Sequence, residues 1–156
     1  MLSQMQRLSF EAEGRYASDE ELRFIPEFLK TYELRLQTYQ KLQVIESTVI
    51  QQVHEKMKAK DPGFFQSGNR DLTAKCKRDA QLTWRASAAA LLINDHDTLR
   101  EQLLIWYQTV SKAVGSQRAC GSAYVVMQDV IQQHLTPQQV AFLSPILEMT
   151  RSLLSD

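Results

Sequence analysis

Between residues 27 and 60 apolar side chains return every three or four positions. Phe28, Tyr32, Leu36, Tyr39, Leu42, Ile45, Val49 and Val53 fall near one side of a helix. No segment alternates apolar and polar residues with a period of two, so the pattern predicts an all-α protein of about seven or eight helices. A short helix is predicted over 3–13. "SDEE" then gives a start signal, with Ser18 as N-cap and Glu21 closing a capping box. Pro26 predicts a break or kink before the long helix. "KDPGFFQSGN" ends that helix and predicts a loop, and the next helix runs from about residue 71 to 93. "NDHD" reads as a turn and cap. Leu99, Leu103, Trp106, Val110 and Val114 then line one helix face, which Gly115 terminates. A further helix runs from Ser116 to near His134. "TPQQ" starts the last one with Thr136 as N-cap, Pro137 at the first helical position and Gln139 closing a second capping box. Val140, Leu143, Ile146, Leu147 and Leu154 mark its inner face.

Composition narrows the function. The chain has 156 residues, enough for one domain around one core. Its 18 basic and 18 acidic residues cancel, which argues against a nucleic-acid binder relying on a basic field. No apolar run is long enough for a transmembrane segment, and the first residues lack the layout of a signal peptide, so a cytoplasmic protein is expected. The two cysteines, Cys76 and Cys120, make neither a disulfide framework nor a zinc site, and no metal is expected. Small neighbours in "RACGSAY" suggest that Cys120 is a buried packing thiol; a second attachment point is the alternative.

Chemistry concentrates in "TAKCKRDAQ". On a helix, Cys76, Asp79 and Thr83 share a face, flanked by Lys75 and Arg78. Lys75, Lys77 and Arg78 would favour a Cys76 thiolate. Asp79 can accept two N–H donors from one conjugated ligand, and Arg78 can grip a carboxylate through its fork. The group combines a covalent attachment point, an acceptor and an acid clamp. The same spacing also describes an exposed charged helix segment with an incidental cysteine.

Other segments bear on that choice. "EAEGRYASDEEL", "DPGFFQSGN", "CKRD", "LREQLLIWYQTVSKAVG" and "VGSQRACGSAYVVMQDVIQQHLT" occur in this order over nearly the whole chain. Together they resemble the phycobiliproteins, most closely the allophycocyanin type. The resemblance implies one globin-like domain over 1–156, with N-terminal dimerisation helices in 1–30 and the globin-like core in 31–156. It implies a linear tetrapyrrole of the phycocyanobilin type, covalently held at Cys76. Asp79 corresponds to the residue that bonds the inner pyrrole nitrogens, Arg78 to a propionate binder, and Lys75 to a second propionate contact. Glu11, Tyr16 and Arg85 correspond to subunit-interface residues, with Glu11 pairing Arg85. They imply a homo- or hetero-dimer through the N-terminal helices, with other phycobiliproteins or bilin-pathway proteins as partners and a location at the cytoplasmic face of thylakoids in a cyanobacterium-like cell.

The departures from the family pattern are also specific. A tyrosine pair usual after the aspartate is replaced by Leu82 and Thr83, and a further interface tyrosine by Ala89. Trp84 lies one position off the face it would need to refill the pocket. The resemblance therefore implies a bilin-binding protein divergent from the major antenna subunits, acting in bilin handling or as a minor phycobilisome-type subunit. The alternative is a non-pigmented helical interaction module with a vestigial site. No haem is expected, since His54, His96 and His134 fall at helix ends or in a turn, where they read as surface or capping residues. No catalytic arrangement is recognisable, so an enzyme is not expected.

Overall fold

The computed structural model describes residues 1–67 and 69–156, with nothing stated for the side chains of Ser67 and Arg70. Among the described residues, eight α-helices carry the fold: α1 (Leu2–Glu11), α2 (Asp19–Leu22), α3 (Phe24–Lys60), α4 (Thr73–Ile93), α5 (His96–Leu99), α6 (Ile105–Val114), α7 (Gln117–Ile131) and α8 (Pro137–Ser155). Both capping boxes form, at Ser18 with Glu21 and at Thr136 with Gln139. The break expected at Pro26 is present: α2 stops at Leu22, whose carbonyl would need the N–H that Pro26 lacks, and α3 starts at Phe24. Pro26 sits in the first turn of α3, where its missing N–H leaves no bond of that helix unmade, so α3 continues for 37 residues, about 55 Å.

Two expectations are corrected. "KDPGFFQSGN" is more ordered than a loop: Pro62–Phe65 form a 3₁₀ turn, and Gln66–Ser67 pair antiparallel with Arg70–Asp71. Gly68, within the same stretch, lies outside the described residues. The inner face predicted after Leu99 is also shifted. A π-helical turn over Arg100–Leu104 adds a residue, so the buried position after Leu99 is Leu104 rather than Leu103. Trp106 is consequently turned out and 59% exposed, while Tyr107 and Ser111 turn inward.

α7 and α8 pack most extensively, and α3 lies across α4 and α7. The α7–α8 approach is close enough that a Cβ on Gly121 would lie 2.5 Å from Ser155 Oγ, which only glycine avoids. One continuous core runs through Leu42, Val49, Leu91, Leu104, Val130 and Leu147. A buried charge serves this frame: Arg35 donates from Nη1 to the Leu91 carbonyl at 2.7 Å, near the C-terminus of α4, and lies 4.5 Å from the Phe142 ring centroid. A cation at the last carbonyls of a helix meets their partial negative charge, and the ring covers it.

Candidate functional site

The 3₁₀ turn and the short ladder deliver the chain to the start of α4. The Asp71 carboxylate accepts the Thr73 N–H at 2.8 Å, and these bonds hold it below its usual range. The helix thus begins with a fixed register, and Cys76 sits one turn in, its N–H bonded to the Leu72 carbonyl at 2.8 Å. Cys76 and Asp79 face a cavity of about 330 Å³ between α3, α4, α6 and α7. Ile50, Val53, Met57, Phe64, Phe65 and Met127 make much of its wall apolar. Tyr107 from α6 and Tyr124 from α7 add two phenols, both raised above their usual range, chiefly by burial.

Lys75 and Asp79 line the cavity as an ion pair, Nζ to Oδ2 2.5 Å, on successive turns of α4. Arg78 does not line it and points outward. Thr83 is fully buried behind the cavity. Its hydroxyl accepts from the Tyr124 phenol at 2.7 Å and bonds the carbonyls of Asp79 and Ala80, each at 3.1 Å. Thr83 is thus a tie that aims Tyr124, not part of the wall. Trp84 does not refill the pocket: it packs on the α3 side, its indole N–H donating to the Leu42 carbonyl at 3.2 Å.

The expected thiolate is corrected as well. Burial raises the Cys76 thiol above its ordinary value, helped by the neighbouring Cys120 and Asp79, and Lys75 only partly offsets this. Flanking cations favour a thiolate when they face it, but Arg78 faces solvent and Lys75 is engaged by Asp79. Cys120 is not sealed in the core. It is half-buried in the wall of the same cavity.

His54 was placed at the surface by its position near a helix end. It instead lines the cavity, its ring centroid 4.5 Å from that of Phe65, and its buried Nε2 has no hydrogen-bond partner among the described residues. Burial, then Lys77 and Lys58, hold it below its usual range, so it is neutral at pH 7. His134 reaches Gln52 at 2.9 Å. The residues missed by sequence reasoning are Tyr107, Tyr124, His54 and Lys77. Tyr124 stands four residues after Cys120, a helical spacing that could have placed both on one face. Tyr107 carried no usable signal, because the π turn resets the face.

The N-terminal segment shows a different geometry. Arg85 does not wait for an acid from outside: its Nε and Nη2 meet Glu46 of the same chain at 2.9 and 2.6 Å. Arg15 likewise meets Glu21, at 2.9 and 2.6 Å. Tyr16 is 99% exposed, and Phe10 70%.

A family model described as phycobilisome protein matches residues 8–154. The chain belongs to the phycobilisome protein family. Its fold, helical but for one two-residue strand pair, is the globin-like fold of the phycobiliproteins. Comparison with curated proteins gives no match. Among the described residues no helix is long and apolar enough to cross a membrane, and no group of three or more His, Cys, Asp or Glu side chains could hold a metal ion.

Proposed function

We propose that this phycobiliprotein-like chain binds a linear tetrapyrrole in the cavity at Cys76, as a bilin-handling protein or a minor phycobilisome-type subunit. The observation that carries the reading is the convergence of a half-buried thiol, a carboxylate, a buried phenol and a half-buried one on one largely apolar cavity. Its volume lies toward the lower end of the range for small-molecule sites, about 300–1,000 Å³. It is open on one side, so a four-ring chain can lie partly within it. The residues present fit such a group. Cys76 would hold it through sulfur, Asp79 would accept its pyrrole N–H groups, and the apolar wall would exclude water from its rings. When bound, the tetrapyrrole supplies the conjugated system that absorbs visible light.

Arg78, which the resemblance nominates, and Thr83, which helical spacing groups with Cys76 and Asp79, receive secondary roles here. Arg78 is outside the wall, and Thr83 acts by fixing Tyr124. Because Asp79 is already paired with Lys75, it must be shared with the ligand, which suits a ligand bearing both N–H donors and carboxylates. In this reading the globin-like body carries the pigment, and residues 1–30 carry the partner contact through Glu11 and Tyr16, with Arg85 of α4 as the residue that Glu11 pairs across the interface. The partner is a second copy, another phycobiliprotein or a bilin-pathway protein, and the protein resides in the cytoplasm or at the cytoplasmic face of thylakoids.

The test is co-expression with a phycocyanobilin-producing pathway, read by absorption and by zinc staining of a denaturing gel. A visible band with a zinc-fluorescent protein is expected, and Cys76→Ser should remove the covalent pigment while the helical circular dichroism persists. A colourless wild-type protein would overturn the reading and leave the exposed N-terminal face as the functional surface.

A further inference from the structure

Three cations stand next to the attachment position, but the structure treats them differently. Lys75 is neutralised by Asp79 at 2.5 Å. Arg78 is exposed and outside the cavity. Lys77 lines the cavity, and its Nζ donates to the Gln51 side-chain oxygen at 2.9 Å. No carboxylate lies within ion-pair distance of it among the described residues. Gln51 in turn donates from Nε2 to Glu55 at 2.6 Å, so a neutral amide links the lysine to an acid of α3. That relay orients Lys77 without cancelling its charge.

His54 is neutral, with Lys77 one of the causes. Asp71 and Glu55 also act on His54, but neither forms an ion pair with Lys77 among the described residues. Arg118 lies over the outer face of the Phe64 ring, 5.2 Å from its centroid, and reaches Asp61 at 3.5 Å, so its charge stays at the surface. A positive charge beside an apolar wall is stabilised when an anion enters with an apolar ligand, and a charge-assisted hydrogen bond there is stronger than one in water.

We infer that Lys77 is the anion-receiving residue of this cavity, taking a propionate carboxylate of the bound tetrapyrrole in place of Arg78. It is a specificity-determining residue: it selects apolar ligands that carry an acid over the same ligands without one. The inference rests on the tetrapyrrole reading only for the ligand's identity; the selection for an anion stands on the cavity itself.

The experiment compares acid and neutral forms of two probes on the full chain. One pair is phycocyanobilin and its dimethyl ester. The other is anilinonaphthalenesulfonate and uncharged N-phenylnaphthylamine. Wild type should bind each anionic form about tenfold or more tightly than its neutral counterpart, the size of one charged hydrogen bond, and raising the salt should narrow the gap. Lys77→Gln should abolish the preference, Lys77→Arg should keep it, and Arg78→Gln should leave it unchanged. If Lys77→Gln fails to fold by circular dichroism, Lys77→Met is read in the same way, and the salt dependence of wild type needs no variant. Wild type without a preference in either pair overturns the inference, as does a preference that survives at Lys77→Gln and disappears at Arg78→Gln. If phycocyanobilin does not bind but the sulfonate preference is present and is lost at Lys77→Gln, Lys77 keeps its role and the tetrapyrrole reading falls.

Discussion

Helix α8 and the N-terminal segment both present apolar side chains at helical spacing, yet their fates are opposite. In α8, Leu143, Ile146, Leu147 and Leu154 are each 0% exposed. In α1 no residue is buried, and Phe10 leaves 70% of its surface in water. The difference is not in the pattern but in what lies opposite. α8 is covered by α7, α4, α6 and α3. α1 is held to the body through polar bonds: the Ser3 N–H and hydroxyl donate to the Asp95 carboxylate at 2.7 and 2.8 Å. An amphipathic helix fixed by polar bonds, with its apolar side uncovered, has the character expected of the partner contact proposed for it. Core stability therefore resides in α8, and the proposed partner contact in a separate helix of similar sequence character.

The sharpest way to break this comparison is to truncate one leucine on the covered side. Leu147→Ala should cost about 2–5 kcal/mol, because transfer and cavity terms add in a core that cannot collapse around the gap. Urea denaturation should show a lower midpoint with an unchanged slope. A loss below about 1 kcal/mol would mean that the α7–α8 contact is far looser than its packing indicates.

The polar hinge between the two regions gives the next effect. Burial alone would raise the Asp95 carboxyl, but the bonds from Ser3 and from the Thr98 N–H outweigh it and hold the group at about 2, against an ordinary 3.8. A depressed carboxyl stabilises the fold fully above its ordinary value. That stability disappears as the pH falls from about 4 through about 2. Asp95→Asn should therefore cost on the order of 2 kcal/mol at pH 7, the scale of hydrogen bonds to a charged group. It should also flatten the stability–pH curve below pH 4. Thermal unfolding between pH 2 and pH 7 would check this, and parallel curves for wild type and Asp95→Asn would refute it.

Much of the frame was legible in the residues because its signals are local. Ser18 with Glu21 and Thr136 with Gln139 each specify a helix start within four residues, and Gly115 adopts the left-handed conformation (φ 68°) that ends α6. The failures share a different cause. Trp106 falls on the wrong face because a π turn is invisible to a period of 3.6. At the site, Cys76 and Asp79 were legible as a helical pair, since a spacing of three fixes their common face. Which of Lys75, Lys77 and Arg78 faces the cavity was not. That depends on Gln51 and Asp79 as competing partners, one of them 26 residues away. The neutral state of the Cys76 thiol was illegible for the same reason, since burial is a property of the assembled helices.

The smallest expected change in stability falls on the uncovered side and carries the most information about function. Phe10→Ala removes a ring already mostly in water, so unfolding of the isolated chain should shift by less than about 0.5 kcal/mol. If α1 is a partner surface, the same substitution should weaken association strongly, since a large aromatic side chain near the centre of an interface is where binding energy concentrates. Sedimentation velocity over a concentration series, alone and mixed with an allophycocyanin subunit, reads both. A stable variant that has lost its dimer separates recognition from folding, as the contrast with α8 requires. A variant that associates as wild type does would move the partner surface away from α1. The next place to look would then be the exposed Ile105 and Trp106 of α6, which lie outside the wall formed by Tyr107.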